Sequence, residues 1–149
     1  MKFDQGATQL FNSSTVTRGG SCIISDSVGI LLFYTNTDYY FLWNQGFVSL
    51  GVVWDRNHNL MQNGDTLIGS IVSGTGYRPM ARFVPSFYIF TPSVLFFYGF
   101  WYSVVDLNQN GGLGAVVQKN VQMTNYQASD CVTAVKHGNG RDWWVFLEV

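Results

Sequence analysis

Three apolar runs punctuate the chain: ILLFYT at 30–35, SFYIFT at 86–91 and DWWVFL at 142–147. Their first positions, 30, 86 and 142, lie 56 residues apart both times. Each run is short and rich in aromatic or β-branched residues, and no stretch sustains a helical period, so each predicts a strand. A strand and a turn precede each one. CIISDSVG leads into the first, MARFVP into the second and CVTAVKHGNGR into the third. In the last, Asn139-Gly140 is a strong hairpin turn, because both residues tolerate positive φ. A third strand recurs as well: VVWDRNHNLMQNG at 52–64 echoes SVVDLNQNGGLG at 103–114, each with an Asp followed by alternate asparagines. Strands are therefore predicted over 30–35, 52–55, 86–91, 101–106, 115–118, 131–137 and 142–147.

A four-stranded antiparallel unit repeated at a long spacing is the pattern of a β-propeller blade. The expected fold class is all-β, with antiparallel blade-like repeats at 22–77, 78–130 and an incomplete 131–149. Residues 1–149 then form a single propeller-like domain or fragment. Propellers close with four to eight blades, and four at this spacing need about 224 residues. The chain is thus not expected to close a ring alone; further blades of the same parent protein, other copies or a larger assembly would complete it.

Composition narrows the partners. A chain of 149 residues is long enough for one domain with a hydrophobic core. Charged residues make up 11 % of it, against about 25 % in an average soluble domain. With a net charge of −1 it has no basic field to neutralise phosphates, so nucleic acid is not an expected partner. Between Arg82 and Asp106 lie 23 uncharged residues, long enough to cross a bilayer as a helix. Pro85, Pro92 and Gly99 interrupt that stretch. It reads as two strands, 86–91 and 100–106, with an apolar connection, and not as a membrane span. Met1-Lys2-Phe3-Asp4 leads into no apolar h-region, so no signal peptide is expected in the sequence as it stands. A Cys22–Cys131 disulfide stays open, because the sequence does not fix the separation that a bridge requires.

The candidate chemistry is sparse. Asp106, Asn108 and Asn110 ahead of Gly111 have the D-x-N-x-N-G spacing that opens an EF-hand calcium loop. A complete loop carries a bidentate Glu at its twelfth position, and that position here is Val117. Asp55, Asn57 and Asn59 repeat the alternation, again without a suitably placed acid. Recurrence favours a structural cause: Asx side chains bond their own backbone in turns and tolerate the left-handed region. The three residues are weak calcium candidates, and no metal or other cofactor is expected. His58 and His137 have no metal-ligand spacing and no paired carboxylate motif around them. No nucleophile-elbow, phosphate-loop or zinc pattern occurs. Asp26, Asp55, Asp106 and Asp142 fall at strand ends, which suits turn capping better than acid–base catalysis.

The stretches SDSVGILLFYT, VWDRNHNLMQNGDTLIGS, FYIFT, YSVVDLNQNGGLGAVVQKNV and VTAVKHGNGRDWWVFLEV, in this order, resemble the N-terminal propeller-like region of large secreted proteins of Bacteroidota. Those proteins are typically exported by the type IX system and carry adhesive or sorting modules. The resemblance implies an extracellular or outer-surface setting and a binding or assembly role, and it carries no catalytic residues over. Two stretches depart from it: DYYFLWNQGFVSLG, where a short polar turn is expected, and PSVLFFYGF, too apolar for an exposed loop. The expected function is a noncatalytic binding or assembly module for a protein or glycan partner. The alternative is a glycan-active hydrolase with its site at the central channel of a propeller. The candidate binding surface is the aromatic insertion with Tyr39, Tyr40, Phe41, Trp43 and Phe47, residues that stack on sugars or fill protein pockets. The competing reading makes them the inner layer of a blade.

Overall fold

The computed structural model describes residues 12–14, 21–42, 46–68, 78–83, 86–93, 99–126 and 132–147. For 37–42, 46–49, 78–83 and 93 it describes the backbone alone. The fold is all-β and antiparallel, in three sheets that follow one another along the chain. The first sheet joins β1 (Ser21–Ser25), β2 (Leu31–Leu42), β3 (Gly46–Asp55) and β4 (Leu67–Ile68) in sequence order. The second joins β5 (Arg78–Phe83), β6 (Ser86–Ser93), β7 (Gly99–Asp106) and β8 (Ala115–Thr124) in the same way. The third is the hairpin of β9 (Val132–Lys136) and β10 (Trp143–Leu147). Strand β1 lies against β5 and β5 against β9, so the sheets stack in chain order through their first strands. This blade-like arrangement makes each of the three apolar runs the second strand of its sheet.

The middle sheet explains why β6 reads as an unbroken apolar run. Successive strand residues point to opposite faces, and both faces of this sheet are covered. Phe87 and Ile89 join Val105 and Val116 against Phe33, Val53, Met61 and Leu67 of the first repeat. Phe33 and Phe87 meet edge to face, with centroids 5.4 Å apart. On the other face, Phe90, Phe100, Tyr88 and Tyr102 pack with Val132, Val145 and Leu147 of the third sheet. The rings of Phe90 and Phe100 stack at 5.5 Å. Burying a side chain such as Phe33 stabilises the fold by roughly 1.5–3 kcal/mol. The 56-residue spacing aligns Phe33 with Ile89, yet these two belong to the same cluster and approach each other from facing sheets. The spacing therefore preserves strand order but not facing, since a slip of one residue turns every side chain to the other side.

In both departures from the expected pattern the described residues are strand. Of DYYFLWNQGFVSLG, residues 38–42 and 46–51 belong to the long strands β2 and β3, whose pairing runs from Phe33↔Asp55 to Leu42↔Gly46; 43–45 lie outside the described residues. Aromatic and β-branched residues without proline extend the ladder where a short turn was expected. Of PSVLFFYGF, Pro92 and Ser93 end β6 and Gly99 and Phe100 begin β7, with pairs Pro92↔Phe100 and Ser93↔Gly99; 94–98 lie outside the described residues. Pro92 lies beyond the last β5–β6 pair, Arg78↔Phe90, so its missing N–H removes no bond from that side of the ladder. Among the described residues no helix is long and apolar enough to cross a membrane.

The core makes a direct prediction. Phe33→Ala should lower the unfolding free energy by about 3–5 kcal/mol in urea titration, the usual cost for a buried phenylalanine. Ile23→Ala, at an exposed position of the first sheet, should stay within about 0.5 kcal/mol of wild type.

Candidate functional site

The side chains with chemical potential gather at one end of the stack. In the first sheet the β1–β2 turn and the end of β3 lie together, because Phe33 pairs with Asp55. In the second, Ser86 pairs with Asp106, which puts the β7–β8 loop at the equivalent end. Arg56 joins the two ends by donating from Nη2 to the Gly112 carbonyl at 2.8 Å. In the third sheet, Val132 and Leu147 pack near Phe90 and Phe100 at the far end. Its 137–142 turn therefore projects the same way as the others.

Each of these turns is closed by an Asx oxygen. Asp26 Oδ1 accepts the N–H groups of Val28 and Ile30, at 3.0 and 2.8 Å. Asp55 Oδ1 accepts those of Asn57 and Asn59, at 2.8 and 3.0 Å. Asp106 Oδ1 accepts the Asn108 N–H at 2.9 Å, while its Oδ2 accepts from Gln109 Nε2 at 3.0 Å. Asn139 Oδ1 accepts from the backbone of Arg141 and Asp142, at 3.0 and 2.9 Å. Two residues of these loops, His58 and Asn110, take up left-handed backbone, with φ of 64° and 50°. That conformation is easier for Asn, Asp and His than for most side chains. Asp106, Asn108 and Asn110 thus lie together on one loop, and the carboxylate is already hydrogen-bonded to that loop. Val117, at the twelfth position, lies in β8 with its side chain exposed. No cluster of three His, Cys, Asp or Glu side chains able to hold a metal occurs among the described residues.

The histidines serve the same local structure. His58 Nδ1 lies 3.0 Å from Tyr34 Oη, and Ser14 donates its N–H to the same hydroxyl and its Oγ–H to the His58 carbonyl. His137 Nδ1 accepts the Asn139 N–H at 3.1 Å, and its ring leans on Trp144 at 5.6 Å. Bonds to Gln109 and the Asn108 backbone hold the Asp106 carboxyl below the usual carboxylate range. Arg141, and then Asn139, do the same for Asp142. Lys119 does so for Asp65 across the two sheets, at 3.1 Å.

That ion pair belongs to a polar seam between the first two sheets that the sequence pattern does not reveal. Val116 donates its N–H to the Gln62 carbonyl at 3.0 Å, and Asn63 Nδ2 donates to the Val116 carbonyl at 2.8 Å. Asn120 accepts the Ile68 N–H at 2.9 Å and donates to the Thr66 carbonyl at 3.0 Å. The only advance signal was the density of Asn and Gly between 57 and 64 and its continuation into 108–120.

Of the five aromatic candidates, the structure places Tyr39, Tyr40 and Phe41 on β2 and Phe47 on β3, in one hairpin where Phe41 pairs with Phe47. Trp43 lies outside the described residues, as does Cys131. Cys22 is half-buried and packs against the cluster between the first two sheets. The exposed aromatics that the structure does bring together are on the third sheet. Trp144 and Phe146 share its outward face with Val135, the cross-strand partner of Trp144, and all three are more than half exposed, at 57, 55 and 54 %. The sequence pattern makes Trp144 and Phe146 strand residues; how far they are exposed depends on packing and is not read from the run itself. No family model matches the chain, and no curated protein or solved structure matches it.

Two outcomes check the turn chemistry. Asp55→Ala should cost on the order of 1–3 kcal/mol, because it removes the buried acceptor of the Asn57 and Asn59 N–H groups, while Asp55→Asn should retain most of that stability. Calcium should leave the melting temperature unchanged. A bound ion at a hundredfold excess over its Kd would add about 2.7 kcal/mol, so a calcium-dependent rise abolished by Asp106→Asn would turn the loop into a metal site.

Acid should loosen the fold at three of these carboxylates. The folded-state carboxyls of Asp65, Asp106 and Asp142 are depressed, so their stabilisation is complete above the unfolded value of about 3.9 and lost as pH falls through the lower folded values. Melting temperature should therefore be flat from pH 7 to about pH 5 with respect to these groups and fall below about pH 4. Asp142→Asn should make that fall shallower.

Proposed function

We propose that the chain is a noncatalytic binding and assembly module of a secreted or cell-surface protein, built from propeller-like blades. The observation that carries this reading is the contrast between its two kinds of surface. The carboxylates and histidines with candidate chemistry are engaged in closing turns, whereas the third sheet offers Trp144, Phe146 and Val135 to a partner. Contiguous exposed apolar side chains on a sheet face are a common mark of a binding surface. Tryptophan is also among the residues that contribute most to interfaces. The resemblance to type IX-exported surface proteins of Bacteroidota supports a setting outside the cell in this reading. The β2–β3 hairpin with Tyr39, Tyr40, Phe41 and Phe47 is a second contact region in this reading, toward either protein or glycan.

The test is a panel of glycan and chromogenic glycoside substrates incubated with the purified chain. No product above the buffer control is expected. Turnover that disappears in Asp55→Asn or Asp106→Asn would replace the binding reading with that of a hydrolase.

A further inference from the structure

Asparagine followed by glycine is a chemically labile pair, and the sequence holds three: Asn63-Gly64, Asn110-Gly111 and Asn139-Gly140. The glycine nitrogen can close on the asparagine side-chain carbonyl, because glycine has no side chain to obstruct the approach. Whether it does so depends on how tightly the side-chain amide and that nitrogen are held. The three pairs differ in this respect.

Two of them are locked at both reacting groups. Asn63 Nδ2 donates to the Val116 carbonyl at 2.8 Å, and the Gly64 N–H donates to the Met61 carbonyl at 2.8 Å. Gly64 is also buried, and a Cβ there would fall 2.9 Å from the carbonyl oxygens of Met61 and Val53. Asn139 is exposed, yet its Oδ1 accepts from the backbone of Arg141 and Asp142 and its Nδ2 donates to Asp142 Oδ2 at 2.6 Å. The Gly140 N–H donates to the His137 carbonyl at 3.0 Å. Reaction at either pair must first break a bond of the side chain and a bond of the glycine nitrogen.

Asn110-Gly111 is the exception. Both residues are exposed, and neither the Asn110 side chain nor the Gly111 N–H makes a hydrogen bond to a described residue. The bonds that close this turn pass around them. Gly112 and Gly114 donate their N–H groups to the Gln109 carbonyl, both at 3.0 Å, and Leu113 donates to that of Asn110 at 3.2 Å. A Cβ built on Gly111 or Gly112 would meet nothing within 4 Å, so water reaches the linkage freely.

From this contrast we infer that Asn110 is a site of spontaneous modification, converted from amide to acid while the chain stays folded. The Gly111 nitrogen gives its proton to solvent base and bonds to Asn110 Cγ, and the Cγ–Nδ2 bond breaks to release ammonia. One water then opens the cyclic imide at either carbonyl, leaving aspartate or isoaspartate. The product places a second carboxylate on the loop that carries Asp106. Its isoaspartate form also lengthens the backbone between Gln109 and Gly112, whose carbonyl accepts from Arg56 across the first two sheets. The inference stands apart from the binding reading.

Peptide mapping by mass spectrometry tests it, on the purified chain held folded at mildly alkaline pH and, in parallel, denatured in urea. In the folded chain the acid should accumulate at 110, while 63 and 139 convert at least about tenfold more slowly because their hydrogen bonds must open first. In urea those bonds are gone, and the three pairs should react at similar rates. A folded chain in which 63 or 139 keeps pace with 110 would overturn the inference. So would a folded chain that keeps the amide at 110 while the denatured chain converts. A denatured chain with the same preference for 110 would overturn it too, since the local sequence and not the fold would then select the site.

Discussion

The fold depends on the burial of both faces of the middle sheet. Phe87 and Ile89 point one way from β6 and Phe90 the other, and each set needs a neighbouring sheet to remove it from water. The first sheet supplies Phe33 and Val53, and the third supplies Val132, Val145 and Leu147. A strand that is apolar on both faces cannot form a two-layer sandwich with one solvated side. It must lie inside a stack, which gives the chain its serial arrangement. The outer sheets then necessarily carry one covered face and one outward face.

The polar seam makes the first interface different from the second. Between the first two sheets, apolar packing is reinforced by hydrogen bonds that Arg56 and Asn63 donate, by those that Asn120 accepts and donates, and by the Asp65–Lys119 pair. Surface pairs of that last kind contribute little on their own, but the asparagine bonds satisfy backbone groups that would otherwise be left without partners. They fix the position of β4 and β8 relative to each other. Among the described residues, the third sheet shows no comparable seam.

Much of this was legible in the sequence, for reasons that differ by element. Strands β2, β6 and β10 announced themselves by composition, and the recurrent Asp-x-Asn-x-Asn correctly pointed to turns because Asx side chains act on their own backbone. The length of the β2–β3 hairpin was not legible. Aromatics at 39–47 suit a strand as well as a binding loop, and only pairing out to Leu42↔Gly46 separates the two. Facing was not legible either: Phe33 and Ile89 occupy matching positions in the 56-residue pattern yet point toward each other. The degree of exposure of Trp144 and Phe146 likewise belongs to the packed stack and not to the run DWWVFL.

Native-state amide hydrogen exchange tests the stack most directly, because protection reports how deeply each strand is enclosed. If the middle sheet is enclosed on both faces and the third on one, amides of Phe87–Thr91 and Trp101–Val105 should exchange only through global unfolding. Those of Val132–Lys136 and Trp143–Leu147 should exchange faster, through local opening of the hairpin. Equal protection of β6 and β10, in a chain shown to be monomeric under the same conditions, would contradict the account.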